Sequence, residues 1–290
     1  MDDDDLPIGR ILNRREALKL FTAAGAAVLS GCGNGGSRTA ASSGAGSAAS
    51  GTGTGAAATA VPGCVVRPEL TVGPYFVDQQ LERSDIRPEP TTGAAKAGVP
   101  LALTFNVSQI GSGACTPLPG AMVDVWQCDA DGVYSGVQDQ LVGFDTTGQK
   151  FLRGWQRTGA DGTARFTTIY PGWYPGRTVH IHFKIRRDAS ASQAYEFTSQ
   201  LFFDDALTDQ VHARPPYAAK GERDLRNARD GIYQEAGDQL LLALTPAGAG
   251  YQAAFAIALD LSDAEVGGED RMGRPGGPGG RPPGPPPRRP

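Results

Sequence analysis

The chain has 290 residues and a net charge of -4, with 40 glycines and 22 prolines. Much of the Gly, Pro, Ser and Ala lies at the two ends, so a single central stretch of about 200 residues is left to bury a core. No basic stripe marks a nucleic-acid surface, because Arg223, Arg226 and Arg229 are interleaved with acids as on a solvated face.

In chain order, the first segment reads as an export address. Asn13-Arg14-Arg15 precedes an apolar run from Leu20 to Leu29 that is too short to stay in a bilayer as a span. The arginine pair suggests the twin-arginine route. Leu29-Ser-Gly-Cys32 looks like a lipobox, whose cysteine becomes the lipidated first residue of the mature chain. Residues 1–32 are therefore expected to export the protein and anchor it through Cys32 in the cell envelope, on the extracytoplasmic side of a bacterial membrane. Residues 33–61 carry too little apolar mass to fold and read as a tether of about 30 Å reach.

Residues 62–262 form the expected domain. Alternating runs at Leu101–Val107, Ala121–Gln127, Thr163–Ile169, His180–Ile185 and Phe197–Phe203 are separated by Gly, Pro and Asp turns. This pattern predicts an all-β fold, an antiparallel β-sandwich. Ala218–Asp230 reads as a loop or short helix, and Gln239–Leu244 with Tyr251–Leu259 as two closing strands. In an oxidising compartment one disulfide is expected, from Cys64 to Cys115 or Cys128, because a strand at Ala121–Gln127 holds the last two apart. Residues 263–290 are rich in Pro, Gly and Arg and read as an extended, disordered tail.

The chemistry lies in four segments. Leu70-Thr-Val-Gly-Pro-Tyr75-Phe comes first, and an Asp-Gly turn then presents Tyr134 in Gly132-Val-Tyr134-Ser. Tyr174-Pro-Gly-Arg177-Thr-Val-His180-Ile-His182 follows, and then Thr198-Ser-Gln200. On a strand, His180 and His182 share one face about 7 Å apart at the backbone, so two imidazoles can grip one metal ion. A lone His-x-His is more often a pair of half-buried histidines, but the ordered tyrosines and arginine reverse that weighting. Phenolate oxygens are hard, anionic donors, so two Tyr with two His argue for Fe(III). A two-His-one-carboxylate Fe(II) site would need Asp129, Asp131, Asp204 or Asp205, whose positions at strand ends are ordinary turn chemistry. His212 has no partner at ligand spacing and reads as structural.

These motifs, in this order from about Pro68 to about Tyr233, resemble the intradiol ring-cleavage dioxygenases, the family of protocatechuate 3,4-dioxygenase and catechol 1,2-dioxygenase. The resemblance implies Fe(III) bound by Tyr134, Tyr174, His180 and His182. It further implies a catechol-type substrate opened by O2 between its two hydroxyls. Tyr174 would leave the metal as an internal base, Arg177 would stabilise developing negative charge, Gln200 would line the pocket and Tyr75 would form a wall. Only Pro175 and Gly176 separate Tyr174 from Arg177, where protocatechuate dioxygenases carry a longer loop, and no dimerising N-terminal helical segment is seen. Monomer and homodimer both stay open, as does the identity of the catechol. The alternative is a non-catalytic surface module that binds carbohydrate or phenolic polymer through Trp126, Trp155 and Trp173.

Overall fold

A computed structural model of the chain describes residues 64–111, 114–187 and 195–263. The export segment with Cys32, the tether and the Pro/Gly/Arg tail lie outside the described residues.

Alternation of apolar and polar residues builds two facing sheets. In β1 (Pro100–Gly111), Leu101, Leu103, Phe105 and Val107 are buried at every second position. Its first half pairs with β7 (Thr163–Ile169) and its end with β2 (Ala114–Pro117). On the other side lies β11 (Gly250–Leu259), itself paired with β10 (Thr245–Ala247). The second sheet is β6 (Arg153–Arg157), β3 (Met122–Trp126), β8 (His180–Arg186) and β9 (Glu196–Phe202), antiparallel throughout. A small hairpin, β4 (Gln138–Asp139) with β5 (Phe144–Asp145), stands apart. The sheets meet through aromatic rings: Phe183 of β8 lies 5.2 Å from Phe105 and 5.3 Å from Phe255 between centroids. Burying each such ring stabilises the fold by about 1.5–3 kcal/mol.

The β-sandwich agrees with the expected class, with one exception in pairing. β11 runs parallel to β1, from Leu101 against Tyr251 to Gln109 against Leu259. A parallel neighbour needs a long crossover, and most of the domain lies between these two strands.

Two helices follow the second sheet. Asp204 caps α1 (Asp205–His212), accepting from Leu207 N at 2.8 Å, and Asp230 caps α2 (Gly231–Leu240), accepting from Tyr233 N at 2.9 Å. The strand expected at Gln239–Leu244 is therefore absent. Ile232, Ala236 and Leu240 recur every four residues and bury one helical face, so Gln239 and Leu240 end α2 and Leu241 makes only a single bridge, to Phe202. The solvated face expected for this stretch holds at Arg226 and Arg229, which are exposed, but not at Arg223. Arg223 reaches Asp205 at 2.7 Å and Asp209 at 2.6 Å on α1, and Asp230 is buried. These arginines and acids pair across elements, which local interleaving does not reveal. Cys64 is bonded to Cys115, with Cα atoms 5.5 Å apart, and Cys128 is a buried free thiol.

Candidate metal centre and active site

The strand period divides β8 between two faces. Ile181, Phe183 and Ile185 enter the sandwich, which leaves His180 and His182 on the opposite face. Register places His182 level with Trp126 on β3 and Gln200 on β9. The Trp126 indole stacks flat on the His182 ring, with centroids 4.9 Å apart and planes 6° from parallel. Gly73 also closes on His182. Its φ is +68°, and a Cβ there would sit 3.1 Å from His182 Cε1, so glycine serves both the turn and the close approach.

Tyr134 arrives on the turn that the sequence marks. Asp129 Oδ1 accepts from the amides of Asp131 and Val133, each at 3.0 Å, and Oδ2 accepts from Lys96. At Gly132, with φ of +78°, a Cβ would lie 2.0 Å from the carbonyl oxygen of Trp173. The turn is thus pressed against the segment carrying Tyr174, and the two phenol rings meet edge-on at 5.6 Å.

The four side chains converge. His180 Nδ1 lies 2.7 Å from the carbonyl oxygen of Thr178. A carbonyl only accepts, so Nδ1 carries the hydrogen and Nε2 presents a lone pair. That Nε2 is 3.0 Å from His182 Nε2 and 3.5 Å from the Tyr174 hydroxyl. Burial, reinforced by Arg177, pushes the pKa of His180 down; burial, reinforced by His180 and then Arg177, does the same to His182. Both rings are neutral at physiological pH. The Tyr134 hydroxyl is buried without a hydrogen-bond partner among the described residues, and burial, then the nearby Tyr174, raises its pKa well above the ordinary value. Neutral imidazole lone pairs and a partnerless phenol in one small volume are what a cation would satisfy, and two hard oxygens beside two nitrogens fit a trivalent one.

Arg177 is buried beside this cluster. Its Nε donates to Asp230 Oδ2 at 2.9 Å and its Nη2 to Gln200 Oε1 at 2.7 Å. Asp230 also accepts from Thr178 N at 2.8 Å, and Gln200 Nε2 donates to the carbonyl of Thr71 at 3.1 Å. Gln200 is therefore held between Arg177 and Thr71, and it orients the guanidinium. Tyr75 stacks on Tyr134 at 4.4 Å, meets Tyr174 edge-on at 5.7 Å, and donates its hydroxyl to Asp139 of the small hairpin.

The residues set aside on sequence grounds stay aside. Asp204 and Asp205 serve α1 and Arg223, and His212 stacks on Tyr217 at 5.0 Å with Nε2 against the Pro171 carbonyl. Trp126 is 2% exposed and occupied by His182, so the three tryptophans do not form an open binding face. Sequence reasoning missed Asp230. It lies 53 residues from Arg177, and an acid ahead of a helical apolar repeat was the one signal that marked it.

A family model described as Dioxygenase matches residues 71–215, half of the chain. A solved intradiol ring-cleavage dioxygenase from Tetranychus urticae superposes with a TM-score of 0.59 at 30% identity, covering 68% of this chain and 95% of that one. The chain belongs to the intradiol ring-cleavage dioxygenases. Among curated relatives, catechol 1,2-dioxygenase 1 of Acinetobacter lwoffii is 29% identical over 129 residues, which is 36% of this chain and 39% of that protein. A chlorocatechol 1,2-dioxygenase of Burkholderia cepacia is 31% identical over 108 residues, 30% of this chain and 38% of that protein. The match thus spans about two fifths of the length of these curated relatives.

Proposed function

We propose that this chain is a ferric dioxygenase that inserts both atoms of O2 into a catechol-type aromatic. The ring opens between the two hydroxyls to give a cis,cis-muconate-type dicarboxylic acid. The observation that carries the reading is the convergence of His182 Nε2 and the Tyr174 hydroxyl on His180 Nε2, at 3.0 and 3.5 Å, beside the partnerless Tyr134 hydroxyl. Tyr134, Tyr174, His180 and His182 would hold Fe(III). When bound, the ion would supply the Lewis acidity that favours phenolate over phenol, in these tyrosines and in a catechol alike.

The remaining tasks fall to side chains. Tyr174 is 9% exposed and Tyr134 is 0%, so Tyr174 is the side chain an incoming catechol meets first and, as a phenolate, the one suited to accept its proton. Arg177, fixed by Asp230 and Gln200, offers a positive charge that does not reorganise as negative charge develops on the substrate. Tyr75 walls the pocket, and with Val72, Trp126 and Tyr134 it makes an apolar lining that excludes water. The names of the curated relatives, catechol and chlorocatechol dioxygenases, support this substrate class.

The test is an anaerobic visible spectrum of the purified protein before and after addition of catechol, with iron measured on the same sample. A phenolate-to-Fe(III) band that moves with catechol is expected, followed by ring-opened product on admission of O2. Protein that stays colourless after loading with Fe(III) would overturn the reading.

We further propose that the protein is exported and anchored through a lipid on Cys32. The Cys64–Cys115 disulfide supports an oxidising compartment. Labelled palmitate should enter the wild-type protein and not Cys32→Ala; unlabelled protein in the cytoplasmic fraction would contradict the anchor.

A further inference from the structure

A second arginine lies close to the site, and the proposed chemistry does not use it. Arg153 opens β6 and is 3% exposed, yet no carboxylate among the described residues pairs with it. Its guanidinium is held by main chain and hydroxyl instead. Nε donates to Ser135 O at 2.9 Å and contacts Ser135 Oγ at 3.0 Å, and Nη2 donates to Ser135 O at 2.5 Å. Ser135 is the residue after Tyr134. The same contacts set the guanidinium carbon 6.0 Å from the centre of the Tyr134 ring.

The far side of Arg153 is unsatisfied. Among the described residues Nη1 has no partner, and neither has the indole N–H of Trp126 or Oε1 of Gln79. All three residues line one cavity of about 20 Å³. That volume holds one water, which could accept from the two donors and donate to the amide oxygen. Trp126 is the ring stacked on His182, so the cavity backs onto two of the four converging side chains.

Burying a guanidinium without an anion is costly, and folded chains rarely do so unless a negative charge forms nearby. The group adjacent to Arg153 that can carry one is Tyr134.

We propose that Arg153 is a positioning residue for Tyr134: through Ser135 it fixes the turn that presents the phenol, and its positive charge lowers the energy of the phenolate electrons. It touches neither substrate nor the reacting atoms. The inference rests on the ferric reading above, and the experiment separates the two.

The readout is the energy of the phenolate-to-Fe(III) absorption band in the iron-loaded full-length protein, for wild type, Arg153→Gln and Arg153→Lys, at equal iron content. Glutamine keeps a donor for Ser135 O and removes the charge; lysine keeps the charge and loses the fork. A positive charge near the phenolate stabilises the donor electrons, so its removal should move the band of Arg153→Gln to longer wavelength, with Arg153→Lys close to wild type. An Arg153→Gln band at the wild-type position overturns the proposal, and so do equal displacements in both variants. Should Arg153→Gln fail to fold, Arg153→Met takes its place: a band at longer wavelength there with a wild-type band in Arg153→Lys supports the charge, and a wild-type band in Arg153→Met overturns it. Absence of any band in the wild type would instead remove the ferric reading and leave no phenolate for Arg153 to act on.

Discussion

Alternate residues of β8 face two environments with opposite physics. On the inner face Ile181, Phe183 and Ile185 meet Val123, Val125, Phe105 and Phe255, all buried and apolar, and exclusion of water is the whole of the interaction. On the outer face His180 and His182 are as deeply buried, but two ring nitrogens lie 3.0 Å apart with a partnerless phenol beside them. The folded chain completes the inner face by itself. On the outer face it leaves the Tyr134 hydroxyl without a partner among the described residues, so equal burial marks a core on one side and a candidate site on the other.

Paired substitutions should separate the faces most sharply. Phe183→Ala is expected to cost about 3–5 kcal/mol in denaturant unfolding, the usual toll of a large cavity. Tyr134→Phe removes a buried hydroxyl that has no partner. The iron-free variant should therefore be as stable as wild type or up to about 1 kcal/mol more stable, while colour and turnover are lost. Equal destabilisation by the two substitutions would mean that Tyr134 is a core group, and the comparison would break.

Asp230→Asn comes next. It leaves an Asn at the cap of α2, which still accepts the Tyr233 amide, and it strips the charge from the partner of Arg177. Breaking a buried pair on one side should cost about 3 kcal/mol at neutral pH. Burial alone would raise the Asp230 pKa, but Arg177 and the amides of Thr178 and Tyr233 outweigh it and hold it low. The contribution of the carboxylate is therefore complete above the unfolded value of about 3.9 and is lost as pH falls through the lower folded value. Unfolding of wild type and Asp230→Asn should converge in that acid range; a difference that persists there would assign the loss to packing.

How far each of these residues could be read from the sequence follows from how far apart its partners are. His180 and His182 are two residues apart on a strand, and Tyr134 sits in an Asp-Gly turn, so period and turn chemistry expose them directly. The Arg177–Asp230 pair and the Arg153–Ser135 clamp join residues 53 and 18 positions apart. No local pattern encodes such contacts. Gln239–Leu244 reads as a strand for a related reason: a short apolar run suits strand and helix alike, and the helix capped upstream at Asp230 takes up Gln239 and Leu240, leaving the rest of the run outside any strand. Asp204 reads in the sequence as local backbone chemistry, and in the structure that chemistry begins a helix.

The pH dependence of the iron-free protein sharpens the contrast further. His180 and His182 stay neutral in the fold and take up protons once unfolded, so their depressed pKa values work against the folded state in acid. Stability is unaffected above the unfolded value of about 6.5 and should fall below it by about 1.4 kcal/mol per pH unit for each histidine. Denaturant midpoints at pH 7 and pH 5 measure this, and replacing both histidines with glutamine should flatten the slope. A midpoint that does not move between those pH values would mean that the outer face accepts protons and is not closed.

The smallest effect tests whether the outer face is shaped as well as buried. Gly73 and Gly120 both have positive φ, +68° and +76°, so an alanine at either should cost about 1–2 kcal/mol in backbone strain. They differ in what the added methyl meets. At Gly120 nothing lies within 4 Å, whereas at Gly73 the methyl would press on His182 Cε1 at 3.1 Å. Both variants should unfold at similar denaturant concentrations, but only Gly73→Ala should give up Fe(III) more readily to a competing chelator, because only there is an imidazole displaced. Equal iron retention in the two variants would show that the ring tolerates the push, and that Trp126 alone holds His182 in line.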